Sequence, residues 1–191
     1  PSGTGLYYTM KNIRDLALMV NPDYTFTELY GDPSASSMNS AINQGVGFFW
    51  YRGWIGMSGW SPSSSLINGA KLPHAILITC STGNFYSGEA TTEQFVRSIG
   101  TASVPAGAVT AIGMETSHTN PMCNNILVRG MANGIFANHM RTMGEAMLNG
   151  KILGSVMYGQ NHTYVMNYSN HWCNLIGDPT MEVFCKIPDT F

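Results

Sequence analysis

The chain has 191 residues, of which 44% are hydrophobic and 10% are charged. A chain of this length and hydrophobic content buries one substantial core, so we predict a single domain. The formal net charge is −2, and Lys and Arg form no cluster dense enough to bind nucleic acid. Solubility must then depend on uncharged polar residues, and this composition favours a secreted or cell-surface protein.

The sequence also argues against membrane spans, metals and cofactors. No apolar run approaches the roughly 20 residues that a helix needs to cross a bilayer. The four cysteines, Cys80, Cys123, Cys173 and Cys185, are too few for a disulfide scaffold, and none belongs to a C-x-x-C pair that would bind zinc. The chain begins at Pro1 without a leader-like segment, which we interpret as a sign that it is a fragment of a longer protein.

The hydrophobic pattern predicts helices that alternate with buried strands. In chain order we predict a helix at 10–20, an extended segment at 24–30, a helix at 35–43, a strand at 46–51, a helical turn at 63–68, a strand at 75–79, a helix at 89–99 and a strand at 107–113. A long helix or broken helix pair at 122–149, a helix at 163–174 and a strand at 180–184 follow. This alternation predicts an α/β fold with a mostly parallel sheet and helices on both faces.

The long helical region carries a stripe of apolar residues. Its members are Ile126, Leu127, Met131, Ile135, Phe136, Met140, Met143 and Met147. They recur at three, four or five residues, which is typical of the buried face of a helix. With 13 methionines in the chain, binding of copper or haem is the alternative, but methionine at helical spacing usually fills a core.

Three predicted loops, 52–61, 80–88 and 114–120, follow strands. In open α/β sheets, ligands bind at the carboxyl ends of the strands. Cys80 is the first residue after a buried strand, and the small polar residues 81–84 after it leave room for a substrate backbone. This position suits a nucleophile, although a lone cysteine after an apolar strand is also commonly a small buried hydrophobic residue.

Four parts of the chain, in the right order, resemble the gingipain family of cysteine peptidases, relatives of caspases and legumains. They are residues 41–48 with 51–53 and Trp60, residues 78–85, residues 130–136 and residues 175–180. The first part resembles the helix, strand and loop that carry the family's base, and the second resembles its nucleophile segment. The resemblance spans about residues 35–185 and implies a caspase-like three-layer sandwich, with 1–191 as one catalytic subdomain of a longer secreted protein.

The resemblance also implies roles for individual residues. In the family a thiolate attacks the scissile carbonyl, a histidine transfers protons and backbone amides bind the oxyanion. Cys80 matches the nucleophile, and the backbone N–H groups of Ile55 and Cys80 match the oxyanion site. The positions implied for substrate binding are Trp54, Trp60, Met114 and Glu115.

The chain departs from the family at the base. The histidine is expected in a Gly-His-Gly turn after the preceding strand, but this turn reads Gly53-Trp54-Ile55-Gly56. Trp54 therefore occupies the expected place. An indole can neither accept a proton at neutral pH nor form the ion pair that keeps a cysteine ionised, so the sequence predicts that the base is lost.

The five histidines of the chain are the candidates to replace this base. His74 precedes the strand that ends at Cys80, which separates the two by roughly 17 Å. His139, His162 and His171 lie in the helical second half and are interpreted as surface or core residues. His118 lies in the loop after the third strand, and it is the candidate substitute base, with a solvated loop histidine as the alternative.

Two functions remain open from the sequence. The first is a cysteine endopeptidase that acts on a protein or peptide substrate. The second is a catalytically inactive peptidase-like module that binds a peptide or serves a structural role within a larger multidomain chain. The aromatic residues around the predicted crevice suit both, because they provide contact area for a ligand and also stabilise a core.

Overall fold

A mixed β-sheet lies at the centre of the fold. The structure is a computed structural model, and it describes residues 2–62, 66–86, 88–97, 100 and 103–183. Within this part of the chain, four strands are adjacent in chain order: β1 (Phe48–Tyr51), β2 (His74–Leu77), β3 (Thr110–Met114) and β4 (Cys173–Ile176). Strands β1, β2 and β3 are mutually parallel, and β4 pairs with β3 in the antiparallel direction.

Helices cover both faces of this sheet. They are α1 (Ser2–Val20), α2 (Ala35–Asn43), α3 (Thr91–Val96), α4 (Pro121–Ala132) and α5 (Met143–Trp172), with a 3-10 turn at Ile55–Gly59 and a π-helical turn at Asn133–Ala137. Helices α1, α4 and α5 contribute to one core, and α2 and α3 contribute to the other. None of the described helices is long and apolar enough to cross a membrane.

The alternation of side chains along β2 separates the two cores. Ile76 and Ile78 belong to the core with α1, α4 and α5, whereas Ala75 and Leu77 belong to the core with α2 and α3. Successive residues of a strand point to opposite faces, so an uninterrupted apolar run needs helices on both sides. The predicted α/β sandwich is therefore confirmed.

The predicted strands at 46–51, 75–79 and 107–113 are confirmed as neighbouring parallel strands, with bounds that differ by up to three residues. The helix predicted at 35–43 coincides with α2, and the helix predicted at 10–20 begins earlier, at Ser2. Of the helical turn predicted at 63–68, residues 63–65 lie outside the described part of the chain, and residues 66–68 are not helical.

The closing strand was predicted in the wrong place. The helix α5 continues to Trp172, and the chain then enters β4, which pairs Leu175 with Ile112. The predicted helix at 163–174 therefore ends two residues early, and its last two residues begin the strand. Of the segment predicted at 180–184, residue 184 lies outside the described part, and Glu182 forms an isolated bridge to Thr142. Pairing with β3 thus takes precedence over the local helical pattern.

The region predicted at 122–149 is a broken helix pair in which α5 packs along α4. Most of its apolar stripe is buried, including the fully buried Met131 and Met143. The two helices approach most closely at two glycines. A Cβ added at Gly130 would lie 2.6 Å from the Cα of Gly150, and a Cβ at Gly150 would lie 2.6 Å from the carbonyl oxygen of Leu127. No side chain fits between the helices at this crossing.

We predict that Gly130→Ala destabilises the protein by about 1–3 kcal/mol, because its methyl group would meet rigid backbone. This is the opposite of the effect of alanine on an unhindered helix. Gly159→Ala in α5 is the matched control, since nothing lies within 4 Å of its added Cβ, and it should stabilise by about 0.5–1 kcal/mol. Urea unfolding of both variants measures the two changes. A stabilising Gly130→Ala would show that the helices do not cross here.

At the amino-terminal end of β2, His74 is buried in a neutral, fully paired state. Its Nδ1 lies 2.9 Å from the Thr110 Oγ1 and its Nε2 lies 3.2 Å from the Glu182 carbonyl oxygen. The carbonyl can only accept, so Nε2 donates its hydrogen and Nδ1 accepts from the threonine hydroxyl. Burial lowers the pKa of His74 below its ordinary value, which the hydrogen bond to Glu182 partly opposes.

We predict that acidification weakens the fold through His74. The unfolded chain binds a proton near its ordinary pKa of about 6.5 while the folded chain does not, so stability falls as the pH drops below that value. The melting temperature should fall between about pH 7.5 and about pH 5.5, and His74→Gln should reduce this dependence. The exposed His171 provides the control: His171→Gln should leave the dependence unchanged. Equal pH dependence in wild type and His74→Gln would contradict the assignment.

Candidate active site

The loops that follow β1, β2 and β3 meet around Cys80. The Cys80 carbonyl oxygen accepts a hydrogen bond of 2.9 Å from the Gly56 N–H, in the loop after β1. The Ser81 N–H donates to the Thr116 carbonyl oxygen at 3.0 Å, in the loop after β3. Cys80 itself is partly exposed. Its thiol therefore lies at the edge of the sheet where the three carboxyl ends converge.

The turn after Cys80 is held in one conformation by β2 and β3. Ser81 has a φ of +58°, a left-handed value that is costly for a residue with a side chain. The buried Thr82 hydroxyl donates to the Leu77 carbonyl oxygen at 2.6 Å and accepts from the Met114 N–H at 3.1 Å. A Cβ on Gly83 would lie 2.9 Å from the backbone of β3. The sheet thus fixes the backbone that carries the thiol.

The sulfur of Cys80 contacts a hydroxyl group. Its Sγ lies 2.9 Å from the Thr119 Oγ1 and 3.9 Å from the Thr119 carbonyl oxygen. The Thr119 Oγ1 also accepts a 2.8 Å hydrogen bond from the Asn124 Nδ2, in the first turns of α4. The Thr119 hydroxyl can donate its hydrogen to the sulfur or accept one from the thiol. In both cases it provides a hydrogen bond to the sulfur but no base.

A cationic side chain lies close to this network. Arg52, directly after β1, donates to the Ile78 carbonyl oxygen and places its Nη2 2.6 Å from the Asn125 Oδ1. Burial lowers the pKa of Arg52 to about 10, and the nearby Cys80 and Tyr51 oppose that effect by favouring the charged guanidinium. Arg52 therefore stays positively charged at neutral pH beside the candidate nucleophile.

The loop after β1 carries Trp54 on its surface. The side chain of Trp54 is 71% exposed, and the neighbouring Gly53 carbonyl oxygen accepts a 2.8 Å hydrogen bond from Thr79. Gly56, Met57 and Ser58 form a left-handed turn with φ values of 55°, 55° and 56°. This turn buries the side chain of Met57. The indole thus lies at the rim of the site rather than against the sulfur.

Two residues that the sequence suggested for substrate binding belong to the core. Trp60 is 7% exposed, and its Nε1 donates to the Asn39 Oδ1 at 3.1 Å. Met114 is the last residue of β3, and its side chain is fully buried in the core with α1, α4 and α5. Both side chains are packed in the core in this structure. Glu115 is partly exposed at the same edge of the sheet, and its backbone N–H donates to the Trp172 carbonyl oxygen at 2.8 Å.

The structure places the residue after His118, not His118 itself, on the sulfur. His118 is exposed, and its backbone N–H donates to the Thr116 Oγ1 at 3.3 Å. Among the described residues, the hydrogen-bond partners of the Cys80 sulfur are both atoms of Thr119. Of the remaining histidines, His74 lies at the opposite end of β2, and the other three lie in α5 or just before it: His139, His162 and His171.

The sequence interpretation missed the groups that surround the thiol. Thr119 and Asn124 flank the Asn120-Pro121 helix start, and such polar residues look like ordinary capping residues in a sequence. Arg52 belongs to the segment 51–53 that resembles the family, and nothing in that segment indicates that its charge is partly buried. No cluster of His, Cys, Asp or Glu among the described residues could hold a metal ion.

Comparisons with known proteins agree with this fold. The sequence model of peptidase family C25 matches residues 2–184. The crystal structure of the Arg-specific cysteine proteinase gingipain R (RgpB) has a TM-score of 0.79 at 17% identity, over 93% of this chain and 42% of that one. The complex of Porphyromonas gingivalis RgpB pro- and mature domains gives 0.77 at 17% identity, over 92% and 43%.

These matches differ in what they show. No match was found among curated protein sequences. At 17% identity the two structural relatives establish the fold, and this chain spans less than half of their length. The family match covers almost the whole chain and confirms the resemblance that the nucleophile segment indicated. The chain therefore belongs to peptidase family C25, the family of the gingipains.

Proposed function

We propose that this chain is the catalytic subdomain of a secreted or cell-surface cysteine peptidase in which Cys80 retains the nucleophile's position but amide hydrolysis is weak or absent. The observation that carries the proposal is the 2.9 Å contact between the Cys80 Sγ and the Thr119 hydroxyl, where a peptidase needs a histidine. Membership of a peptidase family points to a protein or peptide as the substrate. Loss of the base is what separates this chain from an efficient enzyme.

Cleavage of an amide needs two things from its protein surroundings. A thiolate must attack the carbonyl carbon, and a proton must then reach the departing amine. The threonine hydroxyl and the guanidinium can stabilise a thiolate, but neither releases a proton readily at neutral pH. Loss of general acid–base assistance typically slows such a reaction by about 10² to 10⁴. Attack on a carbonyl whose leaving group needs no proton should be affected much less.

The remaining parts of the proposed site are consistent with binding an extended peptide. The Gly56–Cys80 hydrogen bond of 2.9 Å brings the loop at Ile55 next to the nucleophile, which supports the Ile55 and Cys80 N–H groups as oxyanion donors. Large apolar side chains are exposed on the two flanking loops: Trp54 (71%), Ile55 (38%), Phe85 (49%) and Tyr86 (90%). Aromatic residues at such a rim provide contact area for a ligand.

That exposed rim also favours the second candidate function, a catalytically inactive module that binds a peptide. In this alternative the thiol takes no part, and binding affinity should survive removal of Cys80. Either function would operate within a larger chain, because the structural relatives are more than twice as long as the matched region. The two candidates differ in whether Cys80 forms a covalent acyl intermediate.

We predict that the domain reacts with an activated peptide ester but not with the matching peptide amide. Attack of the Cys80 thiolate on a p-nitrophenyl ester forms the C–S bond and expels nitrophenolate, which leaves without a proton. A burst of about one nitrophenolate per chain should appear, followed by slow turnover because no base activates water. The amide of the same peptide should react at least about 10²-fold more slowly. Absorbance and mass spectrometry of the acyl-protein measure both steps.

Two variants make this experiment decisive. Cys80→Ser should abolish the burst, and a burst that persists would show that another group reacts. His118→Ala should change neither reaction if His118 is a solvated loop residue. Efficient amide cleavage that disappears in His118→Ala would contradict the proposal and make His118 the base. A wild-type protein that binds the peptide but gives no burst would support the inactive binding module.

A further inference from the structure

We infer that the site takes peptides with a large apolar side chain, preferably an aromatic one, at the residue that carries the reacting carbonyl. The side chains that select it are Trp54, Ile55, Phe85 and Tyr86, which we call the apolar rim. The inference rests on the proposed function, in which Cys80 attacks that carbonyl, and it adds the class of substrate.

The first support is where the rim residues lie. Exposure alone does not make a site, because large apolar side chains such as Tyr8 are also exposed on α1. The rim differs because both of its loops adjoin the nucleophile. Ile55 directly precedes Gly56, whose N–H donates to the Cys80 carbonyl oxygen at 2.9 Å, and Phe85 follows Cys80 by five residues. A peptide carbonyl at the sulfur therefore has the rim beside it.

The second support is that the backbone of both loops is fixed. Before Trp54, the Gly53 carbonyl oxygen accepts a 2.8 Å hydrogen bond from the Thr79 hydroxyl. After Ile55, the chain buries Met57 in the core with α2 and α3. In the other loop, the N–H of Tyr86 donates to the Asn84 Oδ1 at 3.3 Å. Apolar side chains on an anchored backbone lose less freedom when a ligand covers them, so more of the buried area contributes to affinity.

The third support is the low charge of the three loops around the thiol. They are loops 52–61, 80–88 and 114–120. Together they contain one arginine, Arg52, and one acidic residue, Glu115. A charged substrate side chain placed against the rim would lose its water and gain no partner there. An apolar side chain at the same place gains the free energy of removing both apolar surfaces from water.

Glu115 favours the rival specificity, which is for a basic side chain. Gingipain R is an Arg-specific proteinase, and an arginine side chain binds best to a carboxylate that accepts two hydrogen bonds. Glu115 is partly exposed at the same edge of the sheet. It lies in the loop after β3, however, whereas the rim lies in the loops after β1 and β2. A side chain that contacts the rim gains nothing from a positive charge, and Arg52 opposes a second cation nearby.

The test measures binding of four peptide amides to the Cys80→Ser variant, in which no thioester can form. The peptides differ only at the residue that carries the reacting carbonyl, which is phenylalanine, alanine, arginine or glutamate. Isothermal titration calorimetry gives each Kd. The phenylalanine peptide should bind at least about tenfold more tightly than the alanine peptide, because a buried benzyl group contributes enough for that factor. The arginine and glutamate peptides should bind more weakly than the phenylalanine peptide.

A substitution in the rim shows whether the rim causes this preference. In the same background, Trp54→Ala should weaken binding of the phenylalanine peptide about tenfold and leave the alanine peptide nearly unchanged. A merely structural role of Trp54 would weaken both peptides alike. The matched control is Tyr8→Ala, which removes an exposed aromatic residue from α1 and should change neither affinity.

Tryptophan fluorescence reports the contact directly. The Trp54 indole is exposed to solvent in the free protein, so its emission should move to shorter wavelength when the phenylalanine peptide covers it. Trp54→Phe should remove this shift and keep most of the affinity, since an aromatic surface remains.

Three results would overturn the proposal. They are equal affinity for the phenylalanine and alanine peptides, equal weakening of both by Trp54→Ala, and tightest binding of the arginine peptide that is lost in Glu115→Gln. The ester burst of the wild-type protein tests the proposed function separately, because it depends on the thiol. A burst without the apolar preference would remove the role of the rim and leave the proposed function intact. The preference without a burst would retain the rim and support the inactive binding module.

Discussion

The buried hydroxyl of Thr82 holds the site to the sheet. It donates to the Leu77 carbonyl oxygen at the end of β2 and accepts from the Met114 N–H at the end of β3. One side chain thus bridges the ends of two strands and gives the buried Met114 N–H its acceptor, and such a group is costly when it is left unpaired. Because the turn after Cys80 is tied to two strands, the left-handed Ser81 is tolerated and the thiol points into the loops rather than into the core.

The start of α4 provides the groups next to the Cys80 thiol. The Gly130–Gly150 crossing lets α5 lie close along α4, and the start of α4 presents Thr119 and Asn124 at the carboxyl edge of the sheet. At this crossing no side chain separates the two helices, and any added atom would meet rigid backbone. The packing of the two helices is therefore sensitive to small substitutions.

The groups around Cys80 are mostly uncharged, as is typical of this chain with its low content of charged residues. Only 10% of the residues are charged. The partly buried Arg52 guanidinium has a backbone carbonyl and the Asn125 amide as its partners, and the Cys80 sulfur has the Thr119 hydroxyl. Neutral donors stabilise an anion without bringing a proton that can be transferred. In the function that we propose, such a site favours formation of a covalent bond to sulfur over completion of amide hydrolysis.

Local patterns in the sequence were sufficient to predict the three parallel strands and the helices on both sides of them. The apolar runs at β1, β2 and β3 predicted parallel strands between two layers of helices, because a strand buried on both faces has no polar side to place in water. The nucleophile segment around Cys80 indicated the family, which the match over residues 2–184 confirms. The antiparallel β4 was missed, since residues 173–176 follow a long helix and become a strand only by pairing with β3.

The contents of the site depended on the tertiary structure. Trp60 and Met114 are residue types that often line ligand pockets. The packing of the helices against the sheet nevertheless places both side chains in the cores. The sequence placed Arg52, Cys80 and Thr119 in three loops at one edge of the sheet, but it did not indicate that Thr119 would contact the thiol. The sequence by itself determined the three parallel strands and which cysteine follows one of them, because these depend on residues close in the chain. Only the fold decided which groups contact the thiol, because such contacts depend on how distant segments pack.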